Sequence, residues 1–550
     1  MVKKFFARAN GRLSVGLAAS LLAGSTLISS LLGLYREKLL LTAYYPGTVD
    51  GVYHAGYPQG LDAYKVAFTI PDFMFFLLVS GALSVTLIPV FNQRLAAGNK
   101  KSAWELSSSL INLFAIATFV ASILIIIFAE PLIQYIVAPG LDEDTRGLAV
   151  SLMRVIAINP FLFSISTVLA SMQQAVGRFF FYALAPTTYS IGIIFGILFL
   201  TNKITIFGVT VFEGGIMGVA LGVVLGSILQ LIVSSIGMIG LDFKYQFKIF
   251  WNNLGFRQVL KLLPPRSFDQ GMDYFNNLVE MNLASRLGAG AITAYQVATM
   301  LHMVPITLIG VAISTAVFPK LTEQLARGRD DLFRREVQIF LRVIIWLALP
   351  VAVIAFLGRG YLVSFVKVGG APEIADILGT LAIAILFRSI YHMASRSFYA
   401  QQDTRTPLYI SIVAILLNIG LAAWFVLELQ MGVFGLAAAQ AIVSFVEVMI
   451  LFSVMSMRIK NLFNAQFMHG VLRMVSATGL MFIVTYVMIK TFNLTSVGSS
   501  MFALLPPFIL IVSVSLASYL LFSRVFNIEE AKPVLQGIRR LIFSRIKTVQ

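Results

Sequence analysis

The sequence predicts an all-α polytopic membrane protein of about 14 transmembrane helices, built as two six-helix repeat lobes with a C-terminal two-helix hairpin. Three observations lead there. Of 550 residues, 58% are hydrophobic and only 12% charged, and apolar runs of about 20 residues, long enough to cross a bilayer's hydrocarbon core, recur along the chain. The second observation is a repeat. Leu87-Ile88-Pro89 with Leu95-Ala96-Ala97-Gly98 returns as Val317-Phe318-Pro319 with Leu325-Ala326-Arg327-Gly328, an offset of 230. Asp62 to Ala67 lines up with Thr293 to Ala298 at 231, Leu132 to Gly140 with Leu362 to Gly370 at 230, and Gly215 to Ala220 with Gly432 to Ala437 at 217. The third is that lysine and arginine gather in alternate short loops.

Taken in order, the spans fall near 13 to 42, 61 to 94, 104 to 129, 146 to 174, 181 to 201 and 215 to 240 in the first lobe. Those of the second fall near 259 to 287, 291 to 319, 337 to 358, 374 to 400, 407 to 428 and 433 to 457. The last two, 470 to 490 and 501 to 523, have no repeat partner and form the hairpin. The expected divisions are an N-terminal lobe over 1–241, a basic cytoplasmic linker over 242–258, a C-terminal lobe over 259–458, the hairpin over 459–525 and a tail over 526–550. Lys3, Lys4, Arg8 and Arg12 precede a first run too long for a signal-peptide core, so it is expected to stay as the first helix. In the tail Arg539, Arg540, Arg545 and Lys547 share a helical stretch with Val534, Leu535, Ile538, Leu541 and Ile542. Such a helix lies on the inner leaflet or is simply solvated.

Composition excludes several classes. With no cysteine there are no disulfides and no thiolate chemistry. The net charge of +16 does not signal nucleic acid, because the basic residues sit in loops between apolar runs. Arg94, Lys100 and Lys101, then Arg178, then Lys244, Lys248 and Arg257, then Lys320, Arg327, Arg329, Arg334 and Arg335, then Arg405, then Arg458 and Lys460 mark one side of the membrane. Tyr44 to Gly60 has no lysine or arginine, and Gly140 to Thr145 is acidic. Cationic loops are retained in the cytoplasm, so an even number of spans places both termini there. Duplicated halves around a central site are a common plan of secondary transporters.

Polar residues inside apolar runs are costly in hydrocarbon and face a cavity or a partner. The first helix carries Arg36-Glu37-Lys38, the second Asp62, Lys65 and Asp72. In the seventh, Arg266, Asp269, Asp273, Asn276 or Asn277, and Glu280 follow three- and four-residue spacings and share one face. The tenth places Arg388, His392 and Arg396 at successive i, i+4 positions. Opposite stripes of this kind either line a transport path or pair with each other across the bundle, and Arg36 with Glu37 either faces that path or snorkels to the interface. Asp269, Asp273 and Glu280, with Asn418 of the eleventh helix, supply the hard oxygens or titrating groups of a Na⁺ or proton coupling site; the simpler reading makes them counter-ions of Arg266 and the tenth-helix cations. Pro71 in the second helix, Pro264-Pro265 opening the seventh and Pro305 in the eighth each remove a backbone donor or distort the helix, which a membrane helix tolerates where neighbours or cavity water satisfy the freed backbone groups.

Several of these segments resemble one family. Gly33-Leu34-Tyr35-Arg36-Glu37, Asp62-Ala63-Tyr64 with Ala67-Phe68-Thr69-Ile70-Pro71-Asp72, and Gly81-Ala82-Leu83-Ser84 running into Ile88-Pro89 are similar to the first two helices of MurJ-type lipid II flippases. Ala138-Pro139-Gly140 and Phe398-Tyr399-Ala400-Gln401-Gln402-Asp403 to Thr406-Pro407 are similar to it too, in the right order. The resemblance implies membership of the multidrug/oligosaccharidyl-lipid/polysaccharide exporter superfamily. It also implies alternating access and a cationic cavity that carries undecaprenyl-pyrophosphate-linked peptidoglycan precursor outward. Three family arginines are missing: Ser30 stands where one is usual, Asp72-Phe73-Met74-Phe75-Phe76 carries no basic residue, and none lies near Thr299-Met300. Arg36 is the clear carry-over. Lys65, Arg266, Arg388, His392 and Arg396, with Asp62, complete the expected substrate-binding set. The expected partners are the lipid-linked precursor and membrane lipids, with no cofactor beyond the coupling ion.

Two other classes stay open. A sibling exporter of polysaccharide-linked lipids or cationic drugs calls for an acidic cavity, which the seventh-helix stripe favours. A membrane enzyme acting on polyprenyl lipids calls for paired carboxylates or catalytic histidines. His54, His302, His392 and His469 are scattered, no catalytic constellation is visible, and an enzyme is not expected.

Overall fold

The computed structural model describes residues 15–44, 47–49, 52–54, 60–80, 87–206, 209–212, 214–367, 370–459, 461–492 and 501–536. The chain forms two compact units, Met1–Thr293 and Ala294–Gln550. Eleven of the described helices are long and apolar enough to cross a membrane. The three expected spans outside that set are the first, second and seventh, each of which carries charged residues. With them the crossing segments number about fourteen.

In the first unit α1 covers Val15–Tyr44, and a small antiparallel hairpin follows, β1 Gly47–Val49 with β2 Val52–His54. Of the second expected span the structure describes α2, Gly60–Phe75, a wide π turn over Phe76–Ser80, and α3, Ile88–Ala96; Gly81 to Ser84 lie outside the described residues. Next come α4, Lys100–Pro131, with a π turn over Leu132–Val137, then α5, Glu143–Ile156, and α6, Asn159–Ala175. The latter two split what the hydropathy joins, because Pro160 has no N–H to continue the ladder and starts a new helix. After α7, Phe180–Phe199, a second hairpin pairs β3, Ile204–Ile206, with β4, Val209–Phe212, ahead of α8, Ile216–Ile236.

Glycine explains the closest helix pair. Gly192 and Gly196 on α7, and Gly218, Gly222 and Gly226 on α8, recur every four residues and so share a face. A Cβ on Gly222 would stand 2.6 Å from the Gly196 Cα, closer than any side chain can pack. The two backbones therefore meet along a seam of small residues, the arrangement by which helices associate in lipid.

The basic segment after α8 is irregular but not loose. Asn112 of α4 donates through Nδ2 to the carbonyls of Gln246 (2.8 Å) and Lys248 (3.0 Å), and its Oδ1 accepts from the Tyr245 hydroxyl. Ser109 Oγ accepts from the Phe250 N–H at 2.9 Å. Asn253 then caps α9, Leu254–Ser285, by accepting from the N–H groups of Gly255 and Phe256. This moves the start of the seventh span. The helix begins ten residues before Pro264-Pro265 and runs through them, so the prolines do not open it. Its far end docks on the Ala138-Pro139-Gly140 loop: Gly140 N–H donates to Ser285 Oγ (3.2 Å) and Asn282 Nδ2 to the Ile136 carbonyl (2.7 Å). A Cβ at Gly140 would lie 2.6 Å from the Arg286 Cα, which is why glycine ends that motif.

α10, Ala291–Ile306, leads into the second unit with a π turn over Thr307–Val311 and α11, Ala312–Ala326. Then follow α12, Asp330–Leu357, the short α13, Arg359–Val366, and α14, Pro372–Ala400. α15, Arg405–Ala423, ends in a π turn over Trp424–Glu428 and precedes α16, Val433–Arg458. The hairpin is α17, Ala465–Thr491, and α18, Met501–Val525. α2 with its π turn and α10 with its own begin and end at positions displaced by 231 throughout, the offset at which their sequences match. Pro71, Pro131 and Pro305 each lie within five residues before a π turn, consistent with a lost backbone donor loosening the ladder there. The core of this unit packs Val337, Leu341 and Ile344 of α12 against Met393 and Phe398 of α14, Leu451 of α16 and Met474 of α17. Tyr361 of α13 donates its hydroxyl to the Phe492 carbonyl just beyond α17, tying the hairpin to the lobe. In the tail only residues up to 536 are described, so the basic stretch from Ile538 to Lys547 falls outside.

Candidate functional site

Each unit presents its own polar set. In the first, Arg36 lies on α1, half-buried, with its Nε enclosed and no hydrogen-bond partner among the described residues. It falls within electrostatic range of the hydroxyls of Tyr64 and Tyr189, as does Asp72. Glu37 beside it is 1% exposed and forms a 2.6 Å ion pair with Lys65 of α2. Lys65 therefore enters the site as a compensated charge. That pair was not legible from spacing, because it joins two helices.

Asp62 is 2% exposed, and its carboxylate is fully occupied. Oδ2 accepts from the Gly290 N–H at 2.6 Å, and Oδ1 from the Thr293 N–H at 2.9 Å and from the Thr293 hydroxyl. A carboxylate over the first N–H groups of a helix satisfies orphan donors and opposes the dipole. Asp62 thus caps α10, and its partner Thr293 is the residue that aligns with it in the repeat.

On α9 the side chains of Arg266 and Asp269 lie outside the described set, although the helix through them is continuous. Glu280 is buried and accepts from Asn276 Nδ2 at 3.0 Å. Asp273 is exposed, one residue before Tyr274, whose ring stacks on Phe76 at 4.0 Å between centroids. Asn418 is buried on α15, in the other unit. Among the described residues no three histidine or acidic side chains converge as a metal site.

In the second unit the stripe on α14 is present as expected. Arg388 Nη1 reaches Glu447 Oε2 of α16 at 3.3 Å. Ser411 of α15 donates to the other oxygen, Oε1, at 3.1 Å and shares a 2.9 Å hydrogen bond with the Tyr391 hydroxyl. His392 and Arg396, one and two turns beyond, make no hydrogen bond among the described residues. His302 of α10 is fully buried, donates its Nδ1–H to the Thr299 carbonyl (2.9 Å), leaves Nε2 unpartnered and senses the Arg388 charge. Gly310 in the π turn lets that segment approach so closely that a Cβ there would sit 2.6 Å from the Ser389 Cα. Sequence reading missed Glu447 altogether, since a single glutamate in an apolar helix carries no pattern.

At the end of this bundle Asp403 accepts from the N–H groups of Arg405 and Thr406 (each 3.0 Å) and from the Thr406 hydroxyl (2.6 Å), capping α15, and pairs with Arg458 at 2.5 Å. Desolvation pushes its carboxyl upward, but the Thr406 and Arg458 hydrogen bonds outweigh it and hold the group well below the usual carboxylate range. The Asp403 to Thr406 segment is accordingly a helix-starting clamp.

A family model described as "Lipid II flippase MurJ" matches residues 56–508. The chain belongs to the MurJ family of lipid II flippases. Its relatives include the "Probable lipid II flippase MurJ" of Thermotoga maritima, 24% identical over 522 residues, covering 93% of this chain and 96% of that protein. The "Lipid II flippase MurJ" of Burkholderia cenocepacia is 25% identical over 408 residues, covering 72% and 75%. Among solved structures, "Lipid II flippase MurJ, inward closed conformation" superimposes with a TM-score of 0.72 at 25% identity, covering 92% of this chain and 98% of that one. An inward-facing multidrug-resistance MATE transporter of the MOP superfamily gives 0.66 at 16% identity, covering 80% and 96%, and shares the fold.

Proposed function

We propose that this chain flips lipid II, the undecaprenyl-pyrophosphate-linked peptidoglycan precursor, from the inner to the outer leaflet by alternating access of its duplicated halves. The observation that carries it is the family match over residues 56–508, on a fold that covers nearly the whole of a MurJ structure. The polar sets suit the substrate. A pyrophosphate entering the membrane needs several donors and positive charge; Arg36 with its unsatisfied Nε and Arg396, which makes no hydrogen bond among the described residues, offer both, and His392 adds a donor. Lys65, Arg266 and Arg388 add charge, while Asp62 serves by fixing the end of α10. The membrane is the bacterial inner membrane, with both termini in the cytoplasm, as the basic loops favour. An ion gradient supplies the energy, through Asp269, Asp273, Glu280 and Asn418, as Na⁺ ligands or proton carriers.

The decisive experiment is reconstitution. Arg36→Ala in proteoliposomes should abolish translocation of labelled lipid II with normal insertion, and Arg36→Lys should keep part, because lysine retains the charge but loses the guanidinium fork. Full activity in Arg36→Ala sinks the assignment of this residue, and no lipid II movement by the wild-type protein sinks the substrate. For coupling, Asp273→Asn should lose dependence on a Na⁺ or pH gradient. Rescue of that variant by His392→Ala, with ion dependence unchanged, reduces the acids to counter-ions.

A further inference from the structure

The Arg388–Glu447 pair is a partly buried ion pair at mid-helix, held among three helices, and its two ends differ sharply. The Glu447 side chain is 3% exposed, that of Arg388 31%. Glu447 is also held from behind by Ser411, itself fixed by Tyr391. The arginine therefore has one side against an immobilised anion and lies over the Tyr391 ring, yet it keeps part of its surface exposed, and it begins the stripe that continues in His392 and Arg396. Ions in such a place cost more to desolvate than a packed apolar pair would, so retaining them signals a task other than stability.

We infer that Glu447 is a resident counter-anion that competes with the substrate's diphosphate for Arg388, and so sets how tightly the headgroup is held. This rests on the reading of the α14 stripe as a headgroup site. In the unloaded protein Arg388 is neutralised by Glu447. When a diphosphate diester reaches the open side of the stripe, the guanidinium is shared between two anions whose mutual repulsion weakens binding. A carrier needs that weakening, because a headgroup held by an uncompensated cation stripe would enter readily and leave slowly. Ser411 and Tyr391 keep Glu447 in position to reclaim Arg388 when the headgroup departs, which makes Glu447 a positioning residue for release.

The test uses the full chain in nanodiscs, titrated with lipid II, alongside flipping rates in proteoliposomes. Glu447→Gln should bind lipid II on the order of tenfold more tightly, the size of a charge–charge repulsion reduced by distance and by partial solvent exposure, and flip it more slowly. Ser411→Ala, which frees Glu447 from its neutral partner and leaves it more dependent on Arg388, should shift affinity the other way. In an Arg388→Gln background the Glu447→Gln gain should vanish. A purely structural clamp gives a different result: both single variants lower the melting temperature, and neither tightens binding. Unchanged or weaker binding in Glu447→Gln overturns the inference. If instead Arg388→Gln and Arg396→Ala both leave lipid II affinity untouched, the stripe is not the headgroup site and the underlying reading fails first.

Discussion

Removing the Lys65 ammonium separates two roles for this lysine. At 2.6 Å from Glu37, with an effective dielectric near 20, the attraction is about 6 kcal/mol before the desolvation of both ions is subtracted. Glu37 is almost wholly buried, so Lys65→Met leaves a carboxylate with no cation beside it. Breaking such a pair from one side costs about 3–5 kcal/mol, whereas replacing both partners by neutral groups costs far less. Lys65→Met should therefore be strongly destabilised, and Glu37→Gln combined with Lys65→Met should recover most of the loss, a coupling of roughly 2–4 kcal/mol. The measurement is a double-mutant cycle on thermal or steric-trap unfolding of the protein in bicelles, with flipping assayed on the same four proteins. If Lys65 is only the partner of Glu37, the double variant recovers flipping as well as stability. If Lys65 also donates to the headgroup, stability returns and flipping does not. Additive stability effects, with no coupling, would refute the argument from burial.

Four other outcomes follow from the structure. Gly222→Val should separate α7 from α8 and destabilise by about 1–3 kcal/mol, visible as a lowered melting temperature, because the Cβ position is already occupied by the Gly196 backbone. Asp62→Ala should strip the cap from α10 at a cost of about 1–2 kcal/mol and speed amide exchange at Gly290 and Thr293; unchanged exchange there would contradict the capping role. Asp403 is depressed in the fold, so its contribution is complete above its unfolded value near pH 4 and is lost only as pH falls further through the folded value. Since Arg458 is 40% exposed, Asp403→Asn should cost no more than about 1 kcal/mol at pH 7, and the difference from wild type should shrink on acidification below pH 4. Finally, the chain has no cysteine, so Val52→Cys and Asn99→Cys can be labelled directly with an impermeant thiol reagent in intact cells. Only the former should react, and the reverse pattern would invert the membrane orientation.

Hydropathy and the repeat made the architecture legible because lipid allows few ways to satisfy a backbone: long helices are nearly obligatory once apolar runs of that length appear. Where helices break was less legible. Pro131 sits in a run as apolar as its neighbours, and the two hairpins lie in loops with no membrane constraint. The site divides the same way. Arg388, His392 and Arg396 were found because periodicity puts them on one face, and Arg36 by its motif. Asp62 pointed to a cavity by the cost of its charge, yet it satisfies that charge on backbone N–H groups at the head of a distant helix. The available signal was that its repeat counterpart is Thr293, a capping residue type. Glu37 with Lys65, and Glu447 with Arg388, depend on which helices pack together, which one chain's periodicity does not encode. The serines and Asn112 of α4 likewise looked like ordinary small polar residues in a membrane helix, and they prove to be the acceptors and donors that strap down the linker.

The two π turns at matched positions, Phe76–Ser80 and Thr307–Val311, bear on how a helix of this kind can change shape. A π turn holds one residue beyond the α repeat. Sliding that extra residue along the helix re-pairs the backbone one step at a time, without stranding any amide in hydrocarbon. Each residue passed over turns by about 100° around the axis. Lys65 and Asp72 precede one such turn and His302 precedes the other. Both halves therefore carry, at the same point in their second helix, a joint that re-aims side chains by rotation alone, and the duplication that copied the fold copied the joint with it.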